Sequence, residues 1–211
     1  MPPIPSYFCK IGRRCAFPLS AIPLPPEKTL AIIERIPGLH ILNDQHTTLV
    51  SEYLPTFAQR QIGVSKYLQN ARPVDAPQWV NCSTFAAFVY AQMGVHLPRL
   101  AIQQSEIGAL VPRDQLCIGD LVFATGYINR FRDNPDQSVG HVAIVIGPNQ
   151  YIHANQSGVT LATESQLFNN REFRVARRYI TQADHVVLLS CDTQLNIETA
   201  DDIYWLLTKH L

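Results

Sequence analysis

Apolar residues recur at spacings of three and four along the first half of the chain, the period of amphipathic helices. They predict one helix over 27–36, a second that begins with a capping box near Thr56, a third from Cys82, and a fourth through Gln103 and Ile107. The third helix has a clear apolar stripe, made of Phe85, Phe88, Val89 and Met93. We therefore expect the N-terminal half to be largely helical.

Beyond residue 120 the pattern changes to short β-branched and aromatic runs separated by Gly, Pro and Asn, which is typical of strands. The predicted strands are 121–124, 141–146, 151–154, 173–179 and, as a further candidate, 186–189. A polar loop occupies 126–140, and a last helix is capped by Thr199 and Asp202. Helices followed by antiparallel strands favour an α+β fold, with N-terminal helices packed against a central antiparallel β-sheet.

The ends of the chain differ from its middle. Seven prolines within residues 1–26 predict an extended arm with little helix or sheet, because proline lacks a backbone donor. The length of 211 residues suits one domain with extensions. We expect an N-terminal extension with a short helix over 1–55, a main domain over 56–180, and a C-terminal strand and helix packed on the core over 181–211.

Charge and composition exclude several classes of function. Seventeen basic residues balance seventeen acidic ones, so no overall field favours nucleic acid or an anionic membrane surface. The apolar runs are too short to span a bilayer, and no secretory signal is visible at the N-terminus. Five cysteines without a CxxC pair do not suggest zinc; Cys9 and Cys15 are either a small disulfide or two ordinary thiols.

Cys82 stands at the start of the predicted third helix, where unpaired N–H groups and the helix dipole favour a thiolate. Such positions lower a thiol pKa from about 8.5 toward roughly 3.5–7.5. A single cysteine chosen without other information is more often a small buried residue. Position alone therefore suggests a nucleophile, and the rest of the chain has to supply its base.

His141 and His153 are the candidates for that base and for the polar group that orients it. They lie on two strands joined by a loop at 147–149. A two-residue loop would place the rings on opposite faces of the sheet, where they could not cooperate. A three-residue loop, with Asn149 in the left-handed conformation that creates a bulge, pairs His153 with Ala143 and makes His141 its diagonal neighbour. We predict this second register, with both rings projecting toward the helix of Cys82.

The chain also resembles the NlpC-type cell-wall cysteine peptidases, a papain-like family. The resemblance covers about residues 56–180 and rests on an ordered set of short motifs, none of which is specific by itself. The motifs are Asn81-Cys82-Ser83-Thr84-Phe85, 94–99 with Gln103, 119–123, 140–147, 151–154 and Arg177-Arg178-Tyr179.

The resemblance implies that Cys82 is the nucleophile, His141 the base and His153 the residue that orients it. Asn81 and Ser83 become the candidates for substrate binding. The family's usual reaction is amide hydrolysis in peptidoglycan stem peptides, commonly between a γ-D-glutamyl residue and a diamino acid. It implies no metal and no cofactor. The protein would act in the periplasm, or as a secreted or delivered effector, and an inhibitor or immunity protein is a further partner to consider.

Two positions depart from the family pattern, because Asn81 stands where an Asp is usual and Thr84 where a Gly is usual. Where the family recognises a free substrate amine, that Asp supplies the countercharge. An asparagine cannot neutralise an ammonium group, so we hypothesise that this protein does not depend on a free N-terminal L-alanine. A deamidase or acyltransferase that acts on a protein or lipid is the alternative function that this departure leaves open.

Further candidates are weaker. Either Tyr67 or Trp79 could be the aromatic that the family sets beside the nucleophile, and spacing does not decide between them. Four arginines around the last core strand could bind an acidic group or line a solvated edge; they are Arg171, Arg174, Arg177 and Arg178. Two further interpretations are less favoured: a silent binding module has no need of a thiol, and a zinc site at Cys82, His141 and His153 lacks the close-spaced ligand pairs of most zinc sites.

Overall fold

The computed structural model describes residues 14–19, 22–42, 48–93, 95–126, 138–180, 185–195, 197 and 200–210. Six antiparallel strands form its central sheet: β6 (Ala109–Val111), β7 (Leu121–Ala124), β8 (His141–Gly147), β9 (Gln150–Asn155), β10 (Gly158–Ala162) and β11 (Phe173–Arg178). Their order across the sheet is β10-β9-β8-β7-β11-β6. With the helices that pack on this sheet, the α+β fold predicted from the sequence is confirmed. Strands β6 and β10 were not predicted.

The helices of the described residues are α1 (Pro26–Ile33), α2 (Val50–Gln59), α3 (Cys82–Ala91), α4 (Ala101–Ser105), α5 (Glu164–Leu167) and α6 (Ala200–Thr208). The predicted start of the second helix at Thr56 is wrong, because α2 begins six residues earlier, at Val50. The Thr56 hydroxyl donates to the carbonyl of Glu52 at 2.9 Å, a bond typical of a helix interior rather than of a cap.

The central sheet is buried on both faces, which follows from the alternation of side chains along its strands. Val142 and Ile144 of β8 pack in one apolar cluster with Phe85 of α3. Ala143 and Val145, which alternate with them, pack in a separate cluster with the leucine of α5. Helix α3 therefore covers one face of the sheet, and the segment around α5 covers the other.

The two ends of the chain meet in a second sheet. It consists of β1 (Arg14–Pro18), β2 (Leu39–Ile41), β3 (Thr48–Leu49) and β12 (His185–Cys191), and β12 pairs with each of the other three. The proline-rich arm thus contributes a strand, contrary to the expectation that it holds little sheet. Phe17, Leu189 and Ile203 belong to the apolar cluster beneath this sheet. The C-terminal strand pairs here and not in the central sheet.

A short parallel pair, β4 (Lys66–Tyr67) and β5 (Trp79–Val80), precedes α3. Within the described ranges, none of the helices is long and apolar enough to cross a membrane. Some predicted features lie outside the described residues: the helix end at Gly94, the cap at Thr199, most of the loop 126–140, and the side chains of Cys9 and Cys15.

Candidate active site

Cys82 is the first residue of α3, as the sequence predicted. Asn81 caps the helix, because its Oδ1 accepts the N–H of Thr84 at 3.0 Å. The Thr84 hydroxyl in turn accepts the N–H of Asn81 at 2.8 Å, which completes a reciprocal capping box. Thr84 therefore stabilises the first turn of α3, at the position where the family usually has glycine. Together these bonds fix the tip of α3 and the place of the cysteine.

A cleft of about 430 Å³ opens at this helix tip. Cys82 and His141 both line it, together with the segments 99–102 and 154–156. Its remaining described walls include Tyr67 and Arg171. The thiol and one of the two predicted histidines thus line the same cleft.

The hairpin that carries the histidines has the predicted register but a different loop. Gly147 pairs with Gln150 around a two-residue turn, and Asn149 in that turn has a φ of 53°. The extra residue is accommodated as a bulge, after which Val145 pairs with Tyr151. The predicted three-residue loop is therefore wrong in form. The predicted register beyond the bulge is confirmed. Because Val145 pairs with Tyr151, the same register pairs His153 with Ala143 and makes His141 the diagonal neighbour of His153.

His141 and His153 are both buried, and His141 Nε2 lies 2.7 Å from His153 Nδ1. The rings therefore project from the same face of the sheet, as predicted. Alternation assigns them to the face of Ala143 and Tyr151, whereas the apolar stripe of α3 packs on the opposite face. The rings were expected to project toward the helix that bears Cys82; the cleft shared by His141 and Cys82 agrees with this for His141, and for His153 it stays a prediction. Cys82 shares a cleft with His141 because it stands at the helix tip.

Burial dominates the electrostatics of the three groups. It raises the pKa of the Cys82 thiol, against which hydrogen bonds from the backbone of Val142 and Ser83 act more weakly. It also lowers the pKa of His141 well below its ordinary range, and that of His153 to about 4. The expectation of a lowered thiol pKa is therefore wrong for the substrate-free site: desolvation outweighs the helix-start N–H groups. At pH 7 a neutral thiol faces neutral imidazoles.

Within the described residues, the structure records no hydrogen bond between Cys82 Sγ and His141; the bonds that act on the sulfur come from the backbone of Val142, Ser83 and Cys82 itself. In enzymes without substrate the bond between nucleophile and base is often long and tightens on binding. Nδ1 is the nitrogen of His141 that can contact the thiol, because Nε2 of His141 is hydrogen-bonded to His153.

Asn81 and Ser83, the predicted substrate-binding residues, both line the cleft, yet their polar atoms already hold protein groups. Asn81 Nδ2 donates to the carbonyl of Gln69 at 2.9 Å. The Ser83 hydroxyl donates to Asn81 Oδ1 at 3.1 Å and accepts from Arg99 Nη1 at 3.3 Å. A carboxylate at position 81 could not make the bond to Gln69, so the asparagine fits this chain's own backbone.

The structure separates the weaker candidates. Tyr67 lines the cleft, whereas Trp79 lies beneath the ammonium group of Lys66, 5.7 Å from its Nζ. Of the four arginines, Arg171 alone lines the cleft among the described residues. The others make structural contacts: Arg174 with Glu172 at 2.9 Å, Arg177 with the carbonyl of Ser105 at 2.6 Å, and Arg178 with Asp120 at 2.7 Å.

Gln104 and Arg99 support the site, and the sequence analysis gave neither of them a role. Gln103, quoted with the second motif, caps α4 by accepting the N–H of Leu100 at 3.1 Å. Its neighbour Gln104 is fully buried and donates to the carbonyl of Ser83 at 3.0 Å. The helical period could have indicated which glutamine faces inward. Arg99, which anchors Ser83, belonged to the same motif but received no role.

No group of three His, Cys, Asp or Glu side chains converges on a metal-sized space within the part of the chain that the structure describes. The facing nitrogens of His141 and His153 bond to each other. The chemistry that this geometry offers is that of a thiol beside an oriented imidazole.

Comparison with known proteins identifies relatives of this chain among cell-wall peptidases. The chain is 34% identical over 107 residues to the Murein DD-endopeptidase MepS/Murein LD-carboxypeptidase of Escherichia coli K12, covering 49% of this chain and 52% of that protein. It is 31% identical over 105 residues to the Gamma-D-glutamyl-L-lysine dipeptidyl-peptidase of Bacillus cereus, covering 47% of this chain and 29% of that protein. The chain spans about half the length, or less, of these curated relatives.

Solved structures agree on the fold. An NlpC/P60 family protein from Bacillus cereus superposes with a TM-score of 0.53 at 26% identity, over 62% of this chain and 40% of that one. NlpC2 from Trichomonas vaginalis, at 21% identity and a TM-score of 0.51, shares the fold over 64% of this chain and 48% of that one. Residues 73–178, half of the sequence, match the NlpC/P60 family itself. The chain therefore belongs to the NlpC/P60 family.

Proposed function

We propose that this protein is a cysteine peptidase that hydrolyses amide bonds in peptidoglycan stem peptides through an acyl-enzyme on Cys82. The observation that carries the proposal is the shared cleft of Cys82 and His141, with His141 bonded to His153 at 2.7 Å. The names of the relatives, which describe murein and γ-D-glutamyl peptidases, support the substrate class. The bond between a γ-D-glutamyl residue and a diamino acid is the first candidate.

The proposed reaction has two halves. Cys82 Sγ attacks the amide carbonyl while Nδ1 of His141 takes the thiol proton, and the backbone N–H groups at the start of α3 stabilise the oxyanion. The amide C–N bond then breaks as the imidazolium gives that proton to the leaving amine. In the second half His141 deprotonates a water molecule, which attacks the thioester and releases a carboxylic acid and the free thiol. Throughout, Nδ1 of His153 accepts from Nε2–H of His141 and fixes its tautomer.

The neutral resting state suits this order of events. Burial holds His141 unprotonated at neutral pH, so it is available as a base without prior loss of a proton. Burial also keeps Cys82 protonated until substrate arrives. Proton transfer then accompanies attack, as general base catalysis requires.

A second part of the proposal concerns the free amine of the stem peptide. Asn81 carries no charge, and its amide is bound to Gln69, so the site has no described anion at the position from which the family's Asp acts. We expect stem peptides with a free and with an acetylated L-alanine amine to be cut at similar rates. Cleavage of the free form alone would contradict this.

The function is tested by incubating purified sacculi and defined muropeptides with the wild type and with Cys82→Ala, followed by mass analysis of the products. We expect the wild type to release fragments that end at the cleaved stem-peptide amide and Cys82→Ala to release none. An intact sacculus after treatment with the folded wild type would overturn the proposal. Loss of ammonia from a protein substrate, or acyl transfer to one, would instead support the deamidase or acyltransferase alternative.

A further inference from the structure

Among the residues that the structure describes, the charged side chains of the cleft are all basic. Among its described lining residues are two arginines, Arg99 and Arg171, and no aspartate or glutamate. The chain as a whole is neutral, with 17 basic and 17 acidic residues, so this local excess is not a reflection of composition. A concave surface with one sign of charge concentrates its field and attracts ligands of the opposite sign.

The two arginines differ in how they are held. Arg99 Nη1 donates to the hydroxyl of Ser83, and its Nη2 donates to the carbonyl of Ala71 at 2.5 Å. That guanidinium therefore holds the tip of α3 to the preceding loop, and its replacement would disturb the nucleophile directly. Arg171 lies on a different wall, between α5 and β11, and lines the cleft without belonging to the helix tip.

Arg171 lines the same cleft as Cys82 and His141, two of the reacting groups. Burial is the larger cause of the lowered pKa values of His141 and His153, and the positive charge of Arg171 lowers both further. The same charge acts on Cys82, where it opposes the larger, raising effect of burial. A side chain whose field is felt at all three groups is within range of a substrate bound between them.

We propose that Arg171 is a substrate-binding residue that pairs with a free carboxylate on one of the two residues joined by the scissile amide, so that the cleft selects anionic stem peptides. This inference rests on the proposed function, and it identifies a carboxylate as the feature of the substrate that the site recognises. Arginine suits the task because its planar guanidinium can donate two parallel hydrogen bonds to one carboxylate.

Two carboxylates of a stem peptide can fill this role. In a γ-D-glutamyl–diaminopimelyl bond, the α-carboxylate of the glutamyl residue lies on the acyl side, and the free carboxylate of the diaminopimelyl side chain lies on the leaving side. Conversion of either to a primary amide removes the charge at nearly constant size. A set of three peptides, one unmodified and one amidated on each side, therefore distinguishes the two sources.

The experiment measures kcat/KM for these three peptides with the wild type, Arg171→Gln, Arg171→Lys and the control Arg174→Gln. Arg174 lies three residues further along the same segment, pairs with Glu172 and does not line the cleft. We expect amidation on one side to cost the wild type and the control roughly 10- to 100-fold, the range of a charge-assisted hydrogen bond. Arg171→Gln is expected to lose that preference, and Arg171→Lys to keep part of it.

Equal cleavage of all three peptides by the wild type would overturn the inference, and so would a loss in Arg171→Gln that is the same for every peptide. Binding of the three peptides to Cys82→Ala, with and without Arg171→Gln, provides a readout that needs no turnover. Tighter binding of the carboxylated peptide that disappears with Arg171→Gln supports the inference even if the wild type cuts none of them. In that case the proposed function fails and the recognition stands; equal binding overturns the recognition.

Discussion

The ring of His153 stands edge-on to that of His141, with an interplanar angle of 86° and the two facing nitrogens 2.7 Å apart. This contact leaves Nδ1 as the only nitrogen of His141 available to a thiol. In the mechanism that we propose, His153 acts through His141 and does not contact the substrate. It would then be a positioning residue, and its replacement is expected to affect the turnover step.

We predict that His153→Ala lowers kcat by roughly 100-fold or more with little change in KM, since general base catalysis contributes about 10²–10⁴-fold. His153→Asn keeps an acceptor near the position of Nδ1 and should retain more of kcat. Steady-state kinetics on a defined muropeptide measure the difference. Equal activity of the alanine variant and the wild type would contradict the assigned role.

The low pKa of His153, about 4 against an ordinary 6.5, predicts a pH dependence of stability. Between these values the unfolded chain binds a proton that the folded chain does not, so stability falls as the pH falls from 6.5 through 4. A shift of this size corresponds to roughly 3 kcal/mol for this residue. Urea unfolding at pH 7 and pH 4.5 measures the loss, which should be smaller in His153→Asn. If the free energy of unfolding of the wild type and of His153→Asn depended on pH in the same way, His153 would be excluded as the source of the loss.

Gln103 and Gln104 are neighbours that differ in burial, so replacing each one tests how much the buried glutamine stabilises the start of α3. Gln104 is fully buried and donates to the carbonyls of Ser83 and Pro98. Gln104→Ala should lower the free energy of unfolding by about 2–4 kcal/mol, from lost hydrogen bonds and a cavity. Gln103→Ala removes only an exposed cap and should cost about 1 kcal/mol. Denaturant titrations compare them, and equal losses would show that burial of Gln104 does not matter.

Gly126 lies where β7 leads into the wall of the cleft. A Cβ at this position would lie 2.5 Å from the carbonyl oxygen of Gly140, the residue before His141. Gly126→Ala should therefore displace the backbone beside the base, with a cost of about 1–3 kcal/mol and a fall in kcat. Gly147→Ala, at the other end of β8, meets only the flexible side chain of Gln150 at 3.3 Å and serves as the control. Equal activity of both variants would show that the close approach is dispensable.

Local patterns in the sequence were enough for the helix start at Cys82 and for the shared face of the two histidines. The first follows from the apolar spacing of Phe85, Phe88 and Val89, and the second from the two-residue alternation of strands. The left-handed Asn149 and a bulge were predicted, but the two-residue turn was not, because loop and bulge lengths can compensate for each other at constant register.

The pairing of β1 with β12 could not be predicted, since it joins residues about 170 positions apart and depends on tertiary packing. For the same reason the sequence did not show which of four arginines enters the cleft. Three of them are bound by Glu172, Ser105 and Asp120, and those partners come from distant or irregular segments. Likewise, the effect of burial on the Cys82 pKa depends on the enclosing fold and not on helix position.

The most direct test of the account is the intact mass of the protein, quenched in acid during turnover of a γ-D-glutamyl stem peptide. We expect the wild type to gain the mass of the acyl fragment, on the proteolytic fragment that contains Cys82, and Cys82→Ala to gain nothing and release no product. Product formation by Cys82→Ala at the wild-type rate, with no adduct on the wild type, would contradict a thioester intermediate on this residue.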